Sequence, residues 1–341
     1  MIKYFTFEKY INAPNKAILF PLLRNLYYEV NKSGLENFYS FHNDINSSDI
    51  VIIPLDINYF FENRKVDELW FLINKRKNLQ QPIWVFSSGD IGKTFKAPVY
   101  TFRLGGFNSK LDEKTFILPA FIQDPYSTFL NKEFQPLKKE EIPCIGFAGH
   151  ANGSLLKWIK EFSIFLLSYF KRIKTNKSFD FQSFFPSGRV RYKMLMNLFQ
   201  NTNIQTDFIF RSRYRAGAKT KEQKHKTTLE FYDNIERTPY TLCIRGAGNF
   251  SIRLYEVLAM GRIPVLVKSD FRLPLPWVDW EKHCLITEKE NIEKTILAFH
   301  KSCTPKEFIK LQESNKNFWR EKLSLEGYFK EIHDFFKKDN L

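Results

Sequence analysis

The 341-residue chain has only four cysteines, at positions 144, 243, 284 and 303. No two form a Cys-x-x-Cys pair, which excludes a thioredoxin-type redox motif and a cysteine zinc knuckle. Structural thiols in a reducing compartment are the expectation. The six histidines, at 42, 150, 225, 283, 300 and 333, have no zinc-ligand spacing either. No run of about 18 uncharged apolar residues occurs, so no segment reads as a membrane-spanning helix. Met1 to Glu8 holds no apolar core of the secretory-signal kind. No Gly-x-Gly-x-x-Gly opens the chain with a ribose-binding acid about 20 residues further on, which disfavours a dinucleotide-dependent redox enzyme. The sequence has no internal repeat and no low-complexity segment.

What is abundant is apolar bulk and positive charge. Hydrophobic residues make up 43%, with 36 phenylalanines, enough to build the cores of two ordinary domains. The net charge is +15. Such a balance suits nucleic acid, an anionic membrane surface, or anionic substrates drawn in by the overall field. No nucleic-acid motif accompanies the charge, which disfavours nucleic acid as the partner. The densest basic stretch, Lys219 to Lys226, reads as a solvated loop.

Strand-like runs alternate with helical ones throughout. Ile50–Leu55, Ile83–Ser87, Val99–Phe102 and Thr115–Leu118 read as strands, with helices over 17–31 and 68–78. The pattern predicts a doubly wound α/β domain over residues 1–140. A second domain follows over 141–317, from the strand Cys144–Ala148 and the long amphipathic helix Leu155–Lys171 onward. Residues 318–341 read as a terminal helix that packs back on the first domain.

The most informative stretch is Arg245 to Val267. Tyr240–Ile244 reads as a buried strand, Arg245-Gly-Ala-Gly-Asn249 as a sharp turn, and Ile252–Met260 as a helix with Ser251 at its N-cap. Gly261 stands where a left-handed residue ends a helix, and Ile263–Val267 reads as a second buried strand. Strand, helix and strand at this spacing make a βαβ unit with parallel strands. Its ligand belongs at the carboxyl end of the first strand, against the helix N-terminus, where free N–H groups favour an anion. Arg245 and Arg253 can grip a diphosphate there, and Glu256, three residues past Arg253, can accept hydrogen bonds from ribose hydroxyls. The same residues also suit a bland reading, a capped helix with an Arg253–Glu256 surface pair.

Cys243-Ile-Arg-Gly246, Ser251-Ile-Arg-Leu-Tyr-Glu256, Ala259-Met-Gly261 and Ile263-Pro-Val265 together resemble the donor-site signature of exostosin-type glycosyltransferases, family 47. Looser likenesses follow in the family's order: Ser48–Pro54, Trp84–Gly92 (with Gly89 where histidine often stands), Phe116–Phe121, Ile145–Gly149, Arg191–Leu195 and Asn317–Trp319. The resemblance covers roughly residues 45 to 330. It implies a GT-B fold, two Rossmann-like domains facing across a cleft. It implies an inverting transfer of a sugar from a nucleoside-diphosphate donor, with a UDP-sugar as the family expectation. The acceptor would be an oligosaccharide or lipid-linked glycan of surface polysaccharide synthesis. No cofactor or metal is expected, because cationic side chains hold the diphosphate.

On this reading Arg211, Arg245, Gly246, Asn249, Ser251, Arg253 and Glu256 bind the donor. Asp90 is the base that takes the acceptor proton, with Asp44, Asp56 and Asp124 as alternatives and a turn or N-cap aspartate as its bland reading. His150 and Arg189 are cleft candidates, and Arg191 shares with Arg189 the alternatives of phosphate contact or exposed helix residue. The expected setting is cytoplasmic, peripheral on the inner face of a membrane. The competing functions are a basic polyanion- or nucleic-acid-binding protein and a non-catalytic glycan-binding relic of the fold.

Overall fold

The computed structural model describes residues 1–29, 34–75, 81–174 and 180–338. The architecture is mixed α/β with two parallel-strand sheets. The first contains β1 (Ile2–Thr6), β2 (Tyr39–Phe41), β3 (Ile50–Ile52), β4 (Ile83–Ser87), β5 (Tyr100–Arg103) and β6 (Thr115–Ile117). Their spatial order is β2-β1-β3-β4-β5-β6, and every neighbouring pair is parallel. The accompanying helices are α1 (Pro21–Tyr28), α2 (Ile57–Glu62) and α3 (Val66–Asn74).

The second half runs β7 (Cys144–His150), α4 (Leu155–Lys174), α5 (Ser187–Phe199), β8 (Gln205–Arg211), α6 (Lys221–Arg237), β9 (Tyr240–Cys243), α7 (Ile252–Ala259), β10 (Ile263–Val267), β11 (Leu285–Thr287), α8 (Ile292–Ser302) and α9 (Pro305–Phe318). Its sheet has the order β11-β10-β9-β7-β8, again parallel throughout. The βαβ unit of β9, α7 and β10 forms as its spacing predicts, with Leu242 opposite Val265. Gly261 ends α7 at φ 64°, the left-handed value a glycine adopts without a Cβ penalty. In both sheets the chain order reverses beside the first strand. In the second sheet that reversal lies between β7 and β9, and the crevice outside the strands' carboxyl ends there is the natural ligand position.

Both faces of the first sheet are buried, as a parallel sheet requires. Ile50 and Ile52 point into one core with Trp84, Phe102 and Phe116. Val51, between them, points into the other with Phe60, Leu69 and Leu72. The last helix, α10 (Leu325–Lys338), closes the first of these cores. Its Phe336 ring lies 4.9 Å from Trp84 and 5.0 Å from Tyr100, and Tyr39 donates to the Phe329 carbonyl at 2.7 Å. The second sheet's core joins Phe147, Leu242 and Val265 to Leu195, Ile296 and Phe308.

Three features differ from the sequence expectation. β1 and β2 form the edge of the first sheet, where no strand was expected. The helix expected over 17–31 begins only at Pro21, because Leu19 bridges Leu55 and the residue before proline is held out of the helical region. Its expected end, like that of the helix over 68–78, lies outside the described residues. The basic stretch 219–226 is not a loop. Thr220 accepts from the Gln223 backbone N–H while the Gln223 side chain accepts from the Thr220 N–H, a capping box that starts α6 at Lys221. Among the described residues no helix is long and apolar enough to cross a membrane.

Candidate anion site between the two sheets

Three arginines converge on the carboxyl ends of β7 and β9. Arg253, in the first turn of α7, donates from Nη2 to the Ala148 carbonyl at 2.8 Å and lies over the Phe147 ring at 4.0 Å. Arg191, on α5, donates to the carbonyls of Ile244 and Arg245 at 3.3 and 3.0 Å. Arg245 lies between the rings of Phe185 and Phe107, at 4.5 and 5.2 Å, and donates to Gln182 and the Ala247 carbonyl at 3.3 Å each. The buried Nε of each has no hydrogen-bond partner among the described residues. Burial pulls all three guanidiniums below their ordinary pKa; Arg191, also repelled by Arg253, falls to about 9. A cluster of desolvated like charges with open donors lowers its free energy by gaining an anion.

Glu256 stands one turn further along α7. Burial pushes its carboxyl up to about 7, against the pull of Arg253 and Arg215. It has no hydrogen-bond partner among the described residues. Arg215 was not anticipated. It and Ala216 hold left-handed backbone at φ 47° and 54°, conformations that cost energy outside glycine and cluster at functional sites.

The turn from Arg245 to Phe250 closes through the Gly246 N–H to the Phe250 carbonyl at 3.2 Å. Its two glycines, Gly246 and Gly248, are not left-handed. Gly248 is required because a Cβ there would lie 2.0 Å from the Asp90 carbonyl oxygen. Ser251 occupies the N-cap position of α7, but its side chain makes no capping bond. Arg245, Phe250, Ser251, Tyr255 and Arg272 help line a small depression beside the turn, with a cavity volume of about 10 Å³, room for a single water.

The structure separates the other sequence candidates. Asp90 is exposed, on the loop after β4, with its backbone against Gly248. Asp56 is buried as the cap of α2 and holds the Ser88 backbone and hydroxyl. Asp124 pairs with Lys316 at 2.8 Å, and Asp44 closes its own turn with Asn46 and Ser47. Asn249 is fully buried and spends its amide N–H groups on the Gly106 and Asp270 carbonyls, at 3.1 and 2.8 Å, and the bond to Gly106 pins the turn to the first half. Arg211 is paired with Glu230 at 2.5 Å. His150 contacts Lys157, and burial together with Lys157 and Arg191 disfavours its charged form. Arg189 is half-buried, away from the contacts that hold Arg191. Arg191 carries the spacing that distinguishes it: with Leu195 and Leu198, both buried, it falls on the inward face of α5.

A segment between α4 and α5 links this cluster to the first sheet. Asp180 pairs with the buried Arg103 at 2.8 Å and accepts from the Thr94 N–H at 2.7 Å, while Gln182 meets Arg245. Among the described residues no group of histidine, cysteine and carboxylate side chains could hold a metal ion.

No family model matches the sequence, and no curated protein matches it significantly. Among solved structures the chain is similar to TarM, a wall teichoic acid glycosyltransferase, at 11% identity and a TM-score of 0.36. The likeness covers 86% of this chain and 55% of TarM, so the chain spans about half of TarM's length. At that identity and TM-score it carries neither family nor activity over to this chain.

Proposed function

We propose that the chain is a glycosyltransferase of the GT-B, exostosin-like type, taking its sugar from a nucleoside-diphosphate donor. The observation that carries the reading is the convergence of Arg191, Arg245 and Arg253, buried and with open donors, where the second sheet reverses its strand order. Guanidinium groups match a diphosphate bidentately, and the N-terminus of α7 adds its dipole. On this reading the three arginines hold the diphosphate as it leaves, supplying the positive charge that a metal supplies elsewhere. Glu256 takes the ribose hydroxyls. Asp90 comes from the first half, against the donor turn, and accepts the proton of the acceptor hydroxyl as that oxygen attacks the anomeric carbon. The new glycosidic bond forms as the bond to the diphosphate breaks, and the configuration inverts. UDP is the expected nucleotide and a lipid-linked or free glycan the expected acceptor.

Thermal unfolding with and without UDP tests the donor site. Ligand at 100 times its Kd adds about 2.7 kcal/mol of stability, a shift well above measurement error. Arg253→Ala and Glu256→Ala should each lose the shift. An unchanged shift in both variants refutes the site. Hydrolysis of a panel of nucleotide sugars then tests turnover, which Asp90→Asn should abolish while the UDP shift persists.

A further inference from the structure

The helix α4 presents an apolar face to solvent that no element among the described residues covers. One side of it is packed: Trp158, Phe162 and Phe165 surround Phe184, at ring distances of 6.0, 5.2 and 5.4 Å. Beside that side, Leu155, Ile159, Leu166 and Phe170 follow one another at helical spacing, with Leu156 and Leu167 next to them. Leu156 is 80% exposed, Leu167 70% and Phe170 59%. Phe181, 60% exposed, extends the patch through its edge contact with Tyr169 at 5.7 Å. Exposed apolar surface concentrated in this way marks an interaction site.

The charges beside it identify the occupant. Lys160 and Lys171 border the stripe, while Lys157 turns inward to His150 and the Ser212 carbonyl, and Glu161 is the one acid between Leu155 and Lys171. At 20 residues α4 has the length of a membrane span, yet these charges exclude spanning. An apolar face rich in Leu and Phe with a lysine flank is instead the pattern of a helix lying in a membrane interface, its stripe among the acyl chains and its lysines among the headgroups. A second copy of this chain fits less well. A two-fold contact along the stripe would bring lysine flanks of like charge together on a chain that already carries +15. We propose that α4, with Phe181, docks the protein on an anionic lipid surface. The same helix rests on Phe184, next to the segment whose Gln182 meets Arg245, so the docked surface lies close to the arginine cluster. The docking argument does not depend on what that cluster binds.

The test is co-sedimentation of the full chain with phosphatidylcholine vesicles, with and without phosphatidylglycerol. The protein should sediment with the anionic vesicles and be released by salt. Leu156→Ser with Leu167→Ser should weaken binding at least about tenfold, the effect of losing two buried apolar side chains. Lys160→Glu with Lys171→Glu, surface changes that leave the core intact, should reduce binding to anionic vesicles to the level seen with phosphatidylcholine alone. Phe71→Ser removes an equally exposed ring from α3, 64% accessible, and should bind as the unaltered protein does. Absence of vesicle binding overturns the proposal, as does binding unaffected by both α4 variants. A dimer in solution that Leu156→Ser with Leu167→Ser converts to monomer also overturns it, in favour of self-association.

Discussion

Glu256 is a carboxyl group in a site otherwise furnished with guanidiniums, and burial still outweighs their attraction. Its carboxyl therefore titrates at about 7 in the folded chain against 4.5 when unperturbed. The folded state binds the proton more tightly than the unfolded one, so this group's contribution to stability is complete below pH 4.5 and is lost as pH rises to about 7. Glu256→Gln keeps the shape and removes the titration. Urea unfolding at about pH 5 and about pH 8 should show a larger loss of stability in the unaltered protein than in the variant. Equal losses would mean that Glu256 is solvated and ionised throughout. Burial lowers the pKa of His150, His283 and His300, which acts in the opposite sense, but all three remain in both proteins. For a donor the same shift has a consequence: a ribose that hydrogen-bonds the carboxylate competes with the proton, so UDP affinity should rise as pH increases through neutrality.

At the scale of elements, the turn at 245–250 shows why some of the site was legible and some was not. Strand, turn, helix and strand could be read from local residue order, and β9, α7 and β10 formed accordingly. What Gly248 is for could not be read, because the atom that requires it belongs to Asp90 in the other half of the chain. Asn249 and Arg211 look like ligand residues in sequence; the folded chain also gives the Asn249 N–H groups to distant carbonyls and one Arg211 nitrogen to Glu230, while Asn249 Oδ1 and Arg211 Nε have no hydrogen-bond partner among the described residues. Arg191 looked no different from Arg189 until the inward spacing of Leu195 and Leu198 was set beside it. The capping box at Thr220 was local and readable, and the run of lysines after it masked it as a loop. The two glycines of the turn make the point testable. Gly248→Ala forces a Cβ against backbone and should cost roughly 1–3 kcal/mol. Gly246→Ala meets nothing nearer than the Arg191 Nη2 at 4.0 Å and should stay within about 0.5 kcal/mol. Urea midpoints of the two variants compare them directly, and equal costs would mean that the halves do not meet at Gly248.

Over the whole molecule, the chain begins in the first sheet, builds the second, and returns to the first through α10. That return is more than a surface contact. Phe336, 3% exposed, meets Trp84, Tyr100 and Phe116, and Phe329 reaches Phe20 and Phe102 in the same core. That core is complete only with α10 docked, so the first sheet depends on a helix that follows the second half in the chain. Phe336→Ala deletes a ring from that core, and such deletions cost about 3–5 kcal/mol because the neighbours collapse only partly into the space. The loss should appear as a lower urea midpoint of one cooperative transition, seen alike in far-ultraviolet circular dichroism and in tryptophan fluorescence, since Trp84 lies against the deleted ring. If Phe336→Ala instead splits unfolding into two transitions, with the second sheet's transition unmoved, the halves are energetically independent. Asn249, Asp180 and Arg272 argue against that outcome: each bonds across from the second half to the first, and together with α10 they give the two sheets a shared boundary.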